Sequence, residues 1–214
     1  MFKITALVFF SVLSTVNSFS QEKPSPRVAH MMAYDESRKI FVTFGGMSPQ
    51  LLADTWEFDG KQWRKYDVTG PSGRTWHGMT YDPNLKDILL FGGKDLQQNQ
   101  FGDTWTWDGK SWKQLTPPTS PQPRFFHLMI YDEVLAAVAL LAGGQGRESF
   151  NDAWQWTGSD WKKLDVPPAP APNAEAFVYD PLERAWLIFG GSAGFREMSN
   201  KVYRLQDGNW VEAL

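Results

Sequence analysis

Glycine pairs at Gly45-Gly46, Gly92-Gly93, Gly143-Gly144 and Gly190-Gly191 recur every 47 to 51 residues along a chain of 214. A period of that length marks stacked copies of one supersecondary unit. The clearest copy spans 74–112. It reads Arg-Thr-Trp-His-Gly-Met-Thr-Tyr-Asp, a polar turn, Ile-Leu-Leu-Phe-Gly-Gly, a variable loop, then Asp-Thr-Trp-Thr-Trp-Asp-Gly-Lys-Ser-Trp. The units run at about 27–73, 74–123, 124–172 and 173–214. The seams at 69–73, 117–123 and 167–172 are rich in turn formers, each with proline, which cannot join a central ladder, so each seam ends a sheet.

Within a unit, four short apolar or alternating stretches bounded by turn residues read as strands. In the first unit they fall at 28–34, 40–44, 55–58 and 63–66. Asp59-Gly60, Asp108-Gly109 and Asp207-Gly208 sit between the third and fourth strands, where a tight hairpin needs positive φ; Thr157-Gly158 takes the same place in the third unit. Such a meander has two apolar faces and must pack against its neighbours around an axis. Trp56 and Trp63, Trp105 and Trp112, and Trp154 and Trp161 are spaced to fill the wedges between units, with Tyr203 and Trp210 in the last. The expected fold is all-β, a propeller of four four-stranded blades, either a closed ring or a partial propeller. An open arc admits a homodimer.

Apolar residues make up 42% of the chain and aromatics 15%, ample for a core, while the net charge of -3 and absence of a basic stripe exclude a nucleic-acid footprint. The chain has no cysteine, which removes disulfides, thiolate metal sites and thiol nucleophiles. Residues 1–20 read as a secretory signal peptide: a lysine near the start, an apolar run, and small residues before Gln21. The run is shorter than the ~20 residues of a membrane span. Residues 21–26 form a polar lead-in. The expectation is a secreted, periplasmic or cell-envelope protein with no membrane span after cleavage.

The order Arg-x-x-His-x-Met-x-Tyr-Asp, a hydrophobic strand ending in Gly-Gly, then Asp-Thr-Trp and a second Trp resembles the kelch repeat, over residues 27–214. The resemblance implies a kelch-type β-propeller, although such propellers commonly have five to seven blades. Members serve as protein-binding platforms, galactose-oxidase-like enzymes and sialic acid mutarotases, and the fold alone does not choose among them. Galactose-oxidase chemistry needs a cysteine cross-linked to tyrosine, which this chain lacks. No glycine-framed nucleophile elbow is present either. The leading reading is a secreted binding module that engages a protein or glycan through its loop-rich face, with no cofactor. The alternative is a carbohydrate-active enzyme resembling the mutarotases, with arginines on a sugar carboxylate and Glu175 or a loop acid as general acid and base.

Strand direction puts the seam loops, the loops after each Gly-Gly and the repeated arginines on one face. Candidate ligand-binding residues there are Arg27, Arg74, Arg124, Trp76 and Phe126, together with Arg147 and Arg196 from the variable loops 145–151 and 192–200. The repeated arginines either clamp a ligand carboxylate in bidentate fashion or pair with acidic neighbours. Aligning the units on Tyr34, Tyr81, Tyr131 and Tyr179 brings His30, His77, His127 and Glu175 to one equivalent position. These are transition-metal ligand types. Metal–nitrogen bonds of about 2.0 to 2.1 Å demand a very narrow ring, however, so structural histidines are expected and no metal.

Overall fold

The computed structural model describes residues 22–146, 148–170, 176–191 and 198–213; the signal-peptide reading falls outside them. Among these residues there is no helix, and the chain forms four antiparallel four-stranded sheets. The first blade comprises Met31–Asp35, Ile40–Phe44, Thr55–Phe58 and Trp63–Tyr66. The second comprises Gly78–Asp82, Asp87–Phe91, Thr104–Trp107 and Trp112–Leu115. The third comprises Leu128–Asp132, Ala137–Leu141, Ala153–Trp156 and Trp161–Lys163, and the fourth Ala176–Asp180, Ala185–Phe189, Val202–Gln206 and Asn209–Glu212. Each sheet uses consecutive strands of one unit, so none is exchanged between blades.

Register assigns each side chain to a face. In the first blade Met31 pairs with Phe44 and Ala33 with Val42 on one face, while Met32 pairs with Thr43 and Tyr34 with Phe41 on the other. Ala33, Val42 and Phe44 pack on Met79, Ile88, Leu90, Trp107 and Trp112 of the second blade. The opposite face of that blade carries Leu89 and Phe91 onto Val138, Leu140, Trp156 and Trp161 of the third. Ala139, Leu141 and Ala153 then meet Phe177, Trp186 and Ile188 of the fourth. The core is therefore three slabs between blades, each sealed aliphatic side chain contributing about 1.5–3 kcal/mol.

Tryptophans pin the slabs by hydrogen bonds as well as by bulk. The Trp112 indole donates to Thr55 Oγ1 of the preceding blade (2.8 Å), Trp161 to Thr104 Oγ1 (3.0 Å), and Trp107 to Glu57 Oε1 (2.9 Å). First strands pack first to second, second to third and third to fourth. Among the described residues no comparable packing returns from the fourth blade to the first, so the sheets do not close and the chain is an open arc.

Two local expectations change. The first strand begins at Met31 rather than at residue 28, because Ala29 turns left-handed (φ 55°) and Val28 bridges Met47 of the following loop instead. In the third unit the left-handed pair is Ala142-Gly143 (φ 60° and 93°), one residue earlier than Gly143-Gly144. The Ala142 N–H donates to the Asp152 carbonyl as Gly45 does to Asp54 and Gly92 to Asp103, which fixes the alignment. Gly144 bridges Phe125, as Lys94 bridges Thr75.

Candidate functional site

The repeated arginine organises the loop end of the first three blades. Arg74 is fully buried. Its Nη1 donates to Asp103 Oδ1 (2.6 Å) and the Gly92 carbonyl (2.9 Å), its Nη2 to Asp103 Oδ2 (2.9 Å) and Ser72 Oγ (3.3 Å), and its Nε to the Ser72 carbonyl (3.0 Å). Every guanidinium donor is occupied. Asp103 also accepts the Trp105 indole N–H (2.7 Å). This accounts for the Asp-x-Trp spacing, since residues two apart in extended chain lie on the same side. Arg27, Asp54 and Trp56 repeat the arrangement, as do Arg124, Asp152 and Trp154.

Burial alone pushes the Asp103 carboxyl up, but the hydrogen bonds and charge of Arg74 outweigh it and hold the carboxyl below its ordinary range. The Arg74 backbone carbonyl accepts the Gly46 N–H of the preceding blade (2.9 Å), and that of Arg124 accepts Gly93 (2.8 Å). Each of these arginines is thus a joint, its side chain tied to its own blade and its backbone to the one before. The bidentate geometry that suits a ligand carboxylate is satisfied inside the chain, so Arg27, Arg74 and Arg124 stand behind the loop surface. Arg147 and Arg196 lie outside the described residues.

The histidines are wedges beside the glycine pairs. A methyl group at Gly45 would sit 3.4 Å from His77 Cε1, and one at Gly93 2.9 Å from His77 Cβ. Phe44 meets the His77 ring edge-on at 5.7 Å, and Phe91 meets His127 in the same way at 5.5 Å. Among the described residues neither ring nitrogen of His77 or of His127 has a hydrogen-bond partner of ordinary geometry. Burial, then the Arg74 charge, then the neighbouring histidines hold His77 well below its usual value. Burial and Arg124 take His127 to about 3, against a smaller opposing pull from the Phe91 carbonyl. Both rings are neutral at physiological pH. Among the described residues no group of three or more histidines, aspartates and glutamates is arranged to hold a metal; Glu175 lies outside them.

Exposed chemistry at this end is aromatic. Ala29, Trp76 and Phe126, each preceding its unit's histidine, are all left-handed (φ 55°, 52° and 57°). The Trp76 N–H donates to the Ala29 carbonyl and the Phe126 N–H to the Trp76 carbonyl, both at 3.1 Å, so a backbone chain steps from blade to blade. Trp76 and Phe126 meet at a tilt of 48° with ring centroids 4.8 Å apart, and Phe126 is 48% exposed. Beneath them Lys94 Nζ lies 4.9 Å from the Trp76 ring and 4.1 Å from Phe125, and donates to Gln98 Oε1 (2.7 Å). Among the described residues no carboxylate pairs with Lys94. Burial lowers its pKa.

Trp76 and Phe126 were legible as site candidates; the ammonium under them was not, because only the Thr75–Lys94 bridge brings the loop beneath the ring. At the far end of the first strands, a cavity of about 570 Å³ is lined by Met32, Tyr34, Tyr81, Tyr131, Glu36 and Glu133 among others.

A family model described as the KLHDC2/KLHL20/DRC7 Kelch-repeats domain matches residues 59–213. No curated protein matches the chain.

Proposed function

Because the chain belongs to the kelch-repeat family, whose domains typically bind proteins, we propose that it is an exported binding module that engages a protein partner through the Trp76–Phe126 shelf at its loop end. One observation carries the reading. Two large aromatic residues occupy left-handed positions where glycine would cost nothing, Phe126 exposed and Trp76 half-buried. Such backbone strain, of order 1–3 kcal/mol per residue, is kept where a site benefits from it. An exposed Phe126 ring and a half-buried Trp76 ring over a largely buried ammonium suit an apolar anchor that carries a neighbouring carboxylate. The arginine joints hold the loops that frame the shelf.

The sequence 1–20 supports export, which N-terminal sequencing of protein recovered outside the cytoplasm tests; a chain retaining Met1 there contradicts it. The binding test compares capture by the wild type and by Trp76→Ala/Phe126→Ala from envelope and extracellular material of the producing cell. The proposal expects a protein retained by the first and lost with the second. A glycan would use the same rings as a stacking floor, and capture abolished by deglycosylation but not by protease would replace the protein reading with that one.

A further inference from the structure

The internal slabs show what each blade face is built to meet, and among the described residues nothing covers those same faces at the two ends of the arc. The residue at Phe41 in the first blade corresponds to Ile88, Val138 and Trp186, which are 0%, 0% and 4% exposed; Phe41 itself is 40% exposed. At the other end, Phe189 of the fourth blade corresponds to Phe44, Phe91 and Leu141, all at 0%, and it is 53% exposed. Around Phe41 lie Met32, Tyr34, Phe58 and Trp63, with Tyr34 in tilted contact with Phe41 at 4.7 Å and Phe58 with Trp63 at 4.9 Å. Around Phe189 lie Val178, Leu187, Val202 and Val211.

We infer that these two faces are partners, the fourth blade of one copy covering the first blade of a second copy. In every internal slab the Phe189-type face of one blade covers the Phe41-type face of the next, so the joint would continue an interface already made three times. The polar position at its centre is matched as well. In the first slab Glu57 accepts the Trp107 N–H. In the fourth blade that position is Arg204, whose Nη1 reaches Glu183 Oε2 (3.5 Å) and whose Nε is buried with no hydrogen-bond partner among the described residues. The residue it would face is Phe58, the counterpart of Trp107, a ring with no N–H to donate and a π-face that favours a cation. Two copies about a two-fold axis would use both ends of each chain and leave no face open, giving a ring of eight blades. This inference is independent of the loop-end reading, since none of its residues lies on the shelf.

Sedimentation velocity over a concentration series of the exported chain tests it, with Phe41→Glu, Val178→Glu and, as a control, Leu182→Glu, whose side chain is 92% exposed in a turn. The wild type and the control sediment as dimers, and each face variant as a monomer that still unfolds in one cooperative transition, at the lower midpoint that loss of a native-state partner brings. Mixing the two face variants restores a one-to-one complex, because each retains the face the other lacks. Tyr34→Glu and Phe189→Glu repeat the test should either first variant misfold. A monomeric wild type, a Val178→Glu chain that still dimerises, a mixture that does not associate, or growth into chains longer than two would each overturn the closed two-fold ring.

Discussion

The second and fourth blades share strand order and register but differ at the loop end. In the second, Asp103 holds Arg74 and Trp105 in a buried network. In the fourth, the same positions are Lys201 and Tyr203, and Lys201 pairs instead with Glu212 at 2.8 Å in solvent. The backbone bond that ends the second strand survives the change: Gly190 donates to Lys201 as Gly92 does to Asp103. The ladder therefore needs no tie. What the tie adds is a buried, fully satisfied guanidinium behind the loops, and at the Asp103 position the fourth blade carries the exposed Lys201–Glu212 pair instead.

Asp103→Asn should show the largest effect on this contrast, because it strands a fully buried guanidinium. A loss of about 3–5 kcal/mol in chemical denaturation is expected, while Glu212→Gln in the exposed pair changes stability by less than about 1 kcal/mol. Equal small losses would mean that the second blade is no better tied than the fourth.

Gly92→Ala comes next. The added methyl would sit 2.6 Å from the Arg124 carbonyl oxygen at φ 67°, so the loss should exceed the roughly 1–2 kcal/mol of left-handed strain alone. Ala142→Gly, the corresponding change in the third blade, should have the opposite sign, a gain of up to about 1 kcal/mol in the same assay.

Acidification probes the wedges. His127 binds its proton at about 6.5 when unfolded and only at about 3 when folded, so between those values the unfolded chain holds the extra proton. Stability is full above pH 6.5 and falls as pH drops, by up to roughly 1.4 kcal/mol per unit for one such group. The unfolding midpoint of His127→Gln, followed from pH 7 to 4, should decline less steeply than that of the wild type. The smallest net effect is expected of Trp76→Gly, in which relief of left-handed strain offsets the lost packing on Phe125, Phe126 and Lys94, leaving stability within about 1 kcal/mol of the wild type.

The blades were readable from the sequence because their signals are local: Asp-Gly between the third and fourth strands, and apolar stretches bounded by turns. The slip at Gly143 arose because Ala142-Gly143-Gly144 offers two glycines in a row, and only the Ala142–Asp152 hydrogen bond decides which positions turn left-handed. Whether the ring closes depends on how successive blades are inclined, a property of whole slabs that no single motif carries. The site was partly visible. Arginine at a fixed spacing suggested a clamp, yet its acceptor sits 28 or 29 residues away in the same blade, at Asp103 and Asp152, so its internal role emerges only once the third strand lies beside it.

The central claim is that the repeat residues at the loop end hold the blades while Trp76 and Phe126 meet the partner. Quantitative capture by Trp76→Ala/Phe126→Ala, with unfolding matched to the wild type, tests it most directly. The account expects at least a tenfold loss of the captured protein; retention at the wild-type level would contradict it.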